Sequence, residues 1–222
     1  MEPEYTKISA QVYTPLLKSF NSQIRSLYIK RDAFLESMIA GEVHHLSDDM
    51  AGRRQSPAAK RYVGGELKRM GAEKVNINIK KSVADDLNRI VDESNMVRDA
   101  FMNRLIMFLR SSPQLLEGLD LPQQISRSRI FAGTEDMPVS PMKTLEVVQA
   151  DPMYYLREAI SYKYETGIYA LELPKALIGF SCFLPDDQVP STEEYKRKQA
   201  EEAEMSKFFE DFETKAFAKK ES

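Results

Sequence analysis

The chain has 222 residues, 42% of them hydrophobic and 29% charged, with a net charge of -3. That length suits one large domain or two small ones. No apolar run approaches the roughly 20 residues of a membrane-spanning helix, the opening Met1–Gln11 lacks the basic-then-apolar order of a secretory leader, and a lone Cys182 excludes an internal disulfide or a Cys-rich zinc site. The charge is unevenly spread. Residues 1–112 carry 18 Lys+Arg against 14 Asp+Glu, and residues 113–222 carry 13 against 20. Such asymmetry points to separate tasks for the two halves.

The N-terminal half contains an internal repeat. Lys7–Glu42 aligns without gaps on Lys74–Leu109. Seven of the 36 pairs are identical: Lys7/Lys74, Asn21/Asn88, Arg31/Arg98, Asp32/Asp99, Ala33/Ala100, Phe34/Phe101 and Ile39/Ile106. The apolar positions also align. Each copy opens with strict alternation, Ile8, Ala10, Val12 and Val75, Ile77, Ile79, which predicts a half-buried strand. Helical spacing follows at Leu16, Phe20, Ile24 and at Val83, Leu87, Val91. Thr14 before Pro15, and Ser82 with Asp85, read as helix starts. Breaks at 26–28 and 93–95 precede second helices, from about Arg31 to Ala40 and from about Arg98 to Arg110.

A strand and two short helices bury too little to stand alone, so the two copies are expected to share one core. Their strands then pair as an antiparallel ribbon. Alternation turns Lys7, Ser9, Gln11, Lys74, Asn76 and Asn78 outward, six polar residues without a carboxylate. A two-stranded ribbon fits the major groove, where Asn and Gln pair with adenine and Lys with guanine.

The strand–helix–helix order and its duplication resemble the ribbon-helix-helix (Arc/MetJ-type) DNA-binding family, over residues 5–112. The resemblance implies a pseudo-dimer within one chain, with repeat one at 5–42, a basic connector at 43–73 and repeat two at 74–112. It implies that the six outward residues read bases. It also implies a phosphate contact at the start of each second helix, where Lys30, Arg31 and Arg98 lie. Asp32 and Asp99 depart from the family's usual turn. An imperfectly symmetric DNA site is expected because Ser9/Gln11 and Asn76/Asn78 would not read identical bases. The connector, with Arg53 and Arg54, either follows the DNA backbone or is a polar linker. His44-His45 reads as a loop without metal-site partners.

Residues 113–143, with four prolines, read as an extended connector with a short helix near Leu115. Residues 144–190 read as a small α/β patch. A helix starts at Asp151-Pro152, and the apolar runs 168–173 and 177–184 form a hairpin, or the first is helical. Residues 191–222 read as a charged C-terminal helix opened by a capping box at Ser191–Glu194. On it Met205, Phe208, Phe209 and Phe212 share a face that packs on the chain's own body or binds a partner.

No catalytic motif is present, Asp186-Asp187 reads as an exposed turn, and Cys182 sits in an apolar run as an inert thiol. The expected fold is mainly α with a two-stranded antiparallel ribbon and a mixed, helix-rich C-terminal region. The expected function is sequence-specific binding of double-stranded DNA, as a transcriptional repressor or autoregulator in the bacterial cytoplasm or nucleoid. No enzyme activity, cofactor or metal is expected. The C-terminal region would serve assembly or partner binding. Two alternatives stand beside this. One is a relaxosome-type accessory protein of a mobile element, resembling the TraY family. The other is an antitoxin-like protein whose C-terminal helix binds a partner.

Overall fold

The alternating segments form strands β1 (Tyr5–Tyr13) and β2 (Ala72–Lys80). A computed structural model of the chain describes residues 4–124 and 140–218, with side chains as far as residue 209. Among the described residues β1 and β2 form a single two-stranded antiparallel sheet, and the remainder is mainly helical. Ile8, Ala10 and Val12 of β1 and Val75, Ile77 and Ile79 of β2 are buried on one face. In the pairing Ser9 faces Asn76, Lys7 faces Asn78 and Gln11 faces Lys74.

Helices α1 (Thr14–Ser26) and α2 (Arg31–Asp49) follow β1; α3 (Pro57–Met70) leads into β2; α4 (Lys81–Glu93) and α5 (Arg98–Arg110) follow it. The strand–helix–helix unit thus occurs twice, around one core containing Leu17, Phe20, Ile24, Leu35, Leu87, Ile90, Phe101 and Leu105. Thr14 and Ser82 do not cap their helices. Each is already inside one, and the residues ahead of the two helices, Tyr13 and Lys80, make no side-chain cap bond. The residue just ahead of the other strand supplies the missing acceptor. The Thr14 N–H donates to the Gly71 carbonyl at 3.2 Å, and the Lys81 N–H donates to the Glu4 carbonyl at 2.8 Å. A shift of 67 residues, the spacing of Ser9 from Asn76, carries one bond onto the other.

The same relation holds at the turns between helices. Tyr28 and Asn95 take left-handed backbone conformations at φ 56° and 52°. Ile29 N–H bonds Ile24 O, and Met96 N–H bonds Val91 O, both at 3.1 Å. Asn tolerates that conformation, whereas a Tyr Cβ is strained in it. The two turns also differ in cover. Asn95 donates to the Gln55 carbonyl at 2.9 Å and accepts from Lys60 at 3.1 Å, while Tyr28 is 97% exposed.

Two expectations are corrected here. The connector 43–73 is not a plain linker, because α2 runs nine residues past Ala40 to Asp49 and α3 occupies Pro57–Met70. Ser56 caps α3 by accepting the Ala59 N–H at 3.0 Å. His44 and His45 lie on α2 with their ring centres 3.8 Å apart, on a helix and not on a loop.

Beyond α5 come α6 (Pro113–Gly118), α7 (Pro141–Ala150), α8 (Tyr154–Tyr164), 3-10 segments at Lys175–Phe180 and Asp186–Gln188, and α9 (Glu193–Ala218). Neither apolar run forms a strand, so the small α/β patch is not α/β. Its apolar residues enter the core of the repeats instead, at Ile168, Tyr169, Leu171, Leu173, Phe180 and Cys182. The middle of the 113–143 connector lies outside the described residues. Thr192, not Ser191, caps α9, accepting the Tyr195 N–H at 3.3 Å.

Buried polar groups fasten this segment down. Arg104 of α5 is fully buried. Its Nε donates to the Ile168 carbonyl at 2.6 Å and its Nη2 to the Leu171 carbonyl. Glu42 of α2 pairs with Arg157 of α8 and accepts the Tyr169 hydroxyl at 2.9 Å. Asp49 accepts the Tyr169 N–H at 2.8 Å. This approach needs Gly167, since a Cβ there would sit 1.7 Å from the Asp49 carboxylate.

Two outcomes follow for stability. Arg104→Ala loses about 3 kcal/mol or more, because two buried carbonyls lose their donor and a cavity opens; Arg104→Met, which fills the space, loses less. Tyr28→Gly gains up to about 1 kcal/mol by relieving the left-handed strain. Urea unfolding midpoints at unchanged m-value measure both.

Candidate nucleic-acid interface

The outward face of the ribbon carries Lys7, Ser9 and Gln11 from β1 beside Lys74, Asn76 and Asn78 from β2, as the alternation requires. All are exposed except Ser9, which is half-buried. Ser9 Oγ donates to Asn76 Oδ1 at 2.7 Å. The side chains of Lys7, Gln11, Lys74 and Asn78 have no hydrogen bond or ion pair among the described residues and stand open to a ligand.

The register places these residues symmetrically. The 67-residue shift that relates the repeats carries Ser9 onto Asn76, the residue it faces. The local twofold axis therefore passes between them. Lys7 with Asn78 lies on one side, and Lys74 with Gln11 on the other. Each side presents one ammonium and one carboxamide. The asymmetry expected between the repeats is thus concentrated at the centre, where Ser9 meets Asn76. From Lys7 to Gln11 the strand spans about 14 Å, close to four base-pair steps.

The two ribbon edges are not left to solvent. Along β1, Arg98 Nη2 donates to the Ser9 carbonyl at 2.7 Å, and the Asp99 carboxylate accepts the Gln11 N–H. Asn103 donates to the Gln11 carbonyl at 2.7 Å and accepts the Tyr13 N–H at 2.8 Å. Along β2, Arg31 Nη2 donates to the Asn76 carbonyl at 3.1 Å, and Asp32 accepts the Asn78 N–H at 3.3 Å. Arg31 also pairs with Asp32 at 2.7 Å. Glu36, which occupies the place of Asn103, pairs with Lys80 at 3.2 Å.

These contacts revise the expected phosphate set. Arg31 and Arg98 spend their guanidinium groups on strand carbonyls, and Arg98 also bonds Asn88 Oδ1 at 3.3 Å. Arg54 donates to the carbonyls of Asp92 and Glu93 at the end of α4, at 3.3 and 2.5 Å. Arg53 lies 5.5 Å over the Phe183 ring. Lys30, exposed at the start of α2, has no partner among the described residues and is the one cation of the set left open. Asp32, Asp99 and Asn103 were absent from the expected site. The sequence carried the signal of Asp32 and Asp99, since Arg-Asp-Ala-Phe is the longest identical stretch between the repeats; Asn103 aligns with Glu36 and left none.

At the other end of the molecule, Met205, Phe208 and Phe209 on α9 are 58–65% exposed, so they do not pack on the described body of the chain. Phe212 lies outside the described side chains. Cys182 is fully buried beside Arg104, and burial pushes its thiol up to about 12. Asp186 accepts from Ser56 and Asp187 pairs with Lys198, both in half-buried positions rather than on an exposed turn. No group of three or more potential metal ligands occurs among the described residues, and no described helix is long and apolar enough to cross a membrane. No family model, curated protein or solved structure matches the chain.

Burial pushes the Asp99 carboxyl above its ordinary value, against the pull of the Gln11 N–H and of Arg98. A raised folded-state value means that the folded chain holds this proton more tightly than the unfolded chain. Its contribution to stability is full below the ordinary value of 3.8 and is lost as pH rises through the raised value. The stability difference between the wild type and Asp99→Asn therefore moves in favour of the wild type as pH falls from neutral through the raised value to 3.8. Urea titrations of both proteins across that range measure it.

Proposed function

We propose that the chain is a sequence-specific DNA-binding protein of ribbon-helix-helix type with both halves in one polypeptide, acting as a transcriptional repressor or autoregulator. The observation that carries this reading is the outward ribbon face. Six polar residues without a carboxylate stand in register around a local twofold axis, with four of their side chains unengaged. A two-stranded ribbon of this width enters the major groove. Lys7 and Lys74 suit guanine O6/N7, and Asn78 and Gln11 suit adenine N6/N7. Each side of the axis thus offers one guanine-seeking and one adenine-seeking group, which fits a short, nearly palindromic site with an asymmetric centre. Lys30 supplies a phosphate contact beside the ribbon.

The exposed Met205, Phe208 and Phe209 favour a second task for the C-terminal region, assembly or binding of a protein partner. Apolar side chains at helical spacing on a charged helix fit a hydrophobic groove.

Fluorescence anisotropy of the full chain tests the DNA reading. The probes are a duplex from upstream of its own reading frame and a scrambled duplex, across a salt series. Tighter binding to the upstream duplex is expected, and Asn76→Ala/Asn78→Ala loses about 1–3 kcal/mol of that preference for each good contact removed. Equal, purely salt-driven binding to both duplexes, or no binding at low salt, rejects sequence-specific reading of that site.

A further inference from the structure

We propose that Arg31-Asp32 and Arg98-Asp99 are reciprocal positioning pairs, each holding the strand of the other repeat at the residues that face DNA. This rests on the reading of the ribbon as a base-reading face. The first pair belongs to repeat one and bonds Asn76 and Asn78 of repeat two. The second belongs to repeat two and bonds Ser9 and Gln11 of repeat one. The bonds go to the main chain of four of the six outward residues. They therefore fix where those side chains start without consuming the groups that would meet a base.

Charge separates this role from a phosphate clamp. A carboxylate flanking a DNA-binding face repels phosphate, so Asp32 and Asp99 carry an electrostatic cost for any DNA binding. Both repeats have one at the same place. The arginines beside them are turned to strand carbonyls and, for Arg31, to its own Asp32. A two-stranded ribbon has two unpaired edges, and a ribbon free to twist or slip presents its side chains in many registers. The two pairs, acting from opposite sides, remove that freedom where the reading residues sit.

The two roles give opposite signs for one substitution. Asp32→Ala/Asp99→Ala in the full chain removes two negative charges beside the groove. If the carboxylates merely repel, both specific and scrambled duplexes bind more tightly. If they position the ribbon, the specific duplex weakens by about tenfold, as for a lost base contact, while the scrambled duplex binds as well as before or better. The specific probe is the duplex that the wild type enriches from a random pool of about 20 base pairs. Arg31→Lys/Arg98→Lys keeps every charge and is expected to lose the same discrimination with an unchanged salt slope; retained discrimination overturns the proposal. Amide hydrogen exchange without DNA provides a readout that does not depend on the DNA reading. The Gln11 and Asn78 amides are expected to exchange faster in the alanine variant, while those of Ile8 and Ile77 do not. Unchanged protection at Gln11 and Asn78 overturns the latch itself. If no duplex is enriched by the wild type, the base-reading assignment falls, and the positioning role with it, even where exchange confirms the bonds.

Discussion

A two-stranded ribbon has two open edges, and everything in the N-terminal half answers to them. Each edge strings unpaired carbonyls and amides along a strand that already commits one side chain in two to the core. Such a ribbon is marginal by itself. Here each edge is closed by the start of a second helix from the other repeat. Arg98, Asp99 and Asn103 serve β1, and Arg31 and Asp32 serve β2. The same exchange repairs the helix starts, where Gly71 and Glu4 accept the amides of Lys81's counterpart Thr14 and of Lys81 itself. Neither repeat closes the edge of its own strand. The two repeats therefore form one cooperative unit, although they are separated in sequence by a further helix.

The C-terminal half is fastened by a different device. Ile168–Leu173 has no strand partner and no regular helix to occupy its main-chain groups. A fully buried guanidinium, Arg104, reaches out from α5 and takes two of its carbonyls. Burying that charge is expensive, and the segment's gain is register, since only one alignment meets both carbonyls. Glu42 and Asp49 repeat the tactic from α2, holding Tyr169 by its hydroxyl and its amide. Burial pushes both carboxyls above their ordinary values. These contacts make residues 153–182 part of the repeat core rather than a separate patch.

Much of this architecture was legible, and the failures have physical causes. Alternation at Ile8, Ala10, Val12 and Val75, Ile77, Ile79 gave both strands, because a half-buried ribbon imposes period two on its side chains. Helical spacing gave α1, α4 and α5. The caps at Thr14 and Ser82 were misread because their helices draw acceptors from a distant strand, which no local pattern encodes. The runs at 168–173 and 177–184 were misread for a related reason. Apolar residues report burial, and here a side chain 64 positions away satisfies the backbone that burial would otherwise force into a sheet. At the candidate site, the outward residues followed from the period alone. The edge-closing role of Asp32 and Asp99 did not, since an Arg-Asp pair at a helix start looks the same whether it faces phosphate, solvent or a strand.

Carrying both repeats in one chain frees each to take up work that a pair of identical chains would have to duplicate. Position by position, the divergence lies in the scaffold. Asn103 binds two backbone groups of β1 where Glu36 binds a lysine. Arg104 anchors the C-terminal segment where repeat one has Ser37, exposed on α2. Asn95 is sealed beneath Gln55 and Lys60 where Tyr28 stands bare. Repeat two thus mounts the connector and shares with α2 the anchoring of the C-terminal half. The outward face diverges less in chemistry. Lysine is matched by lysine and carboxamide by carboxamide on either side of the axis, and the one change of type falls on the axis itself, at Ser9 and Asn76. A ligand that meets this face therefore encounters near-twofold symmetry, while the scaffold behind it has diverged at Asn95, Asn103 and Arg104.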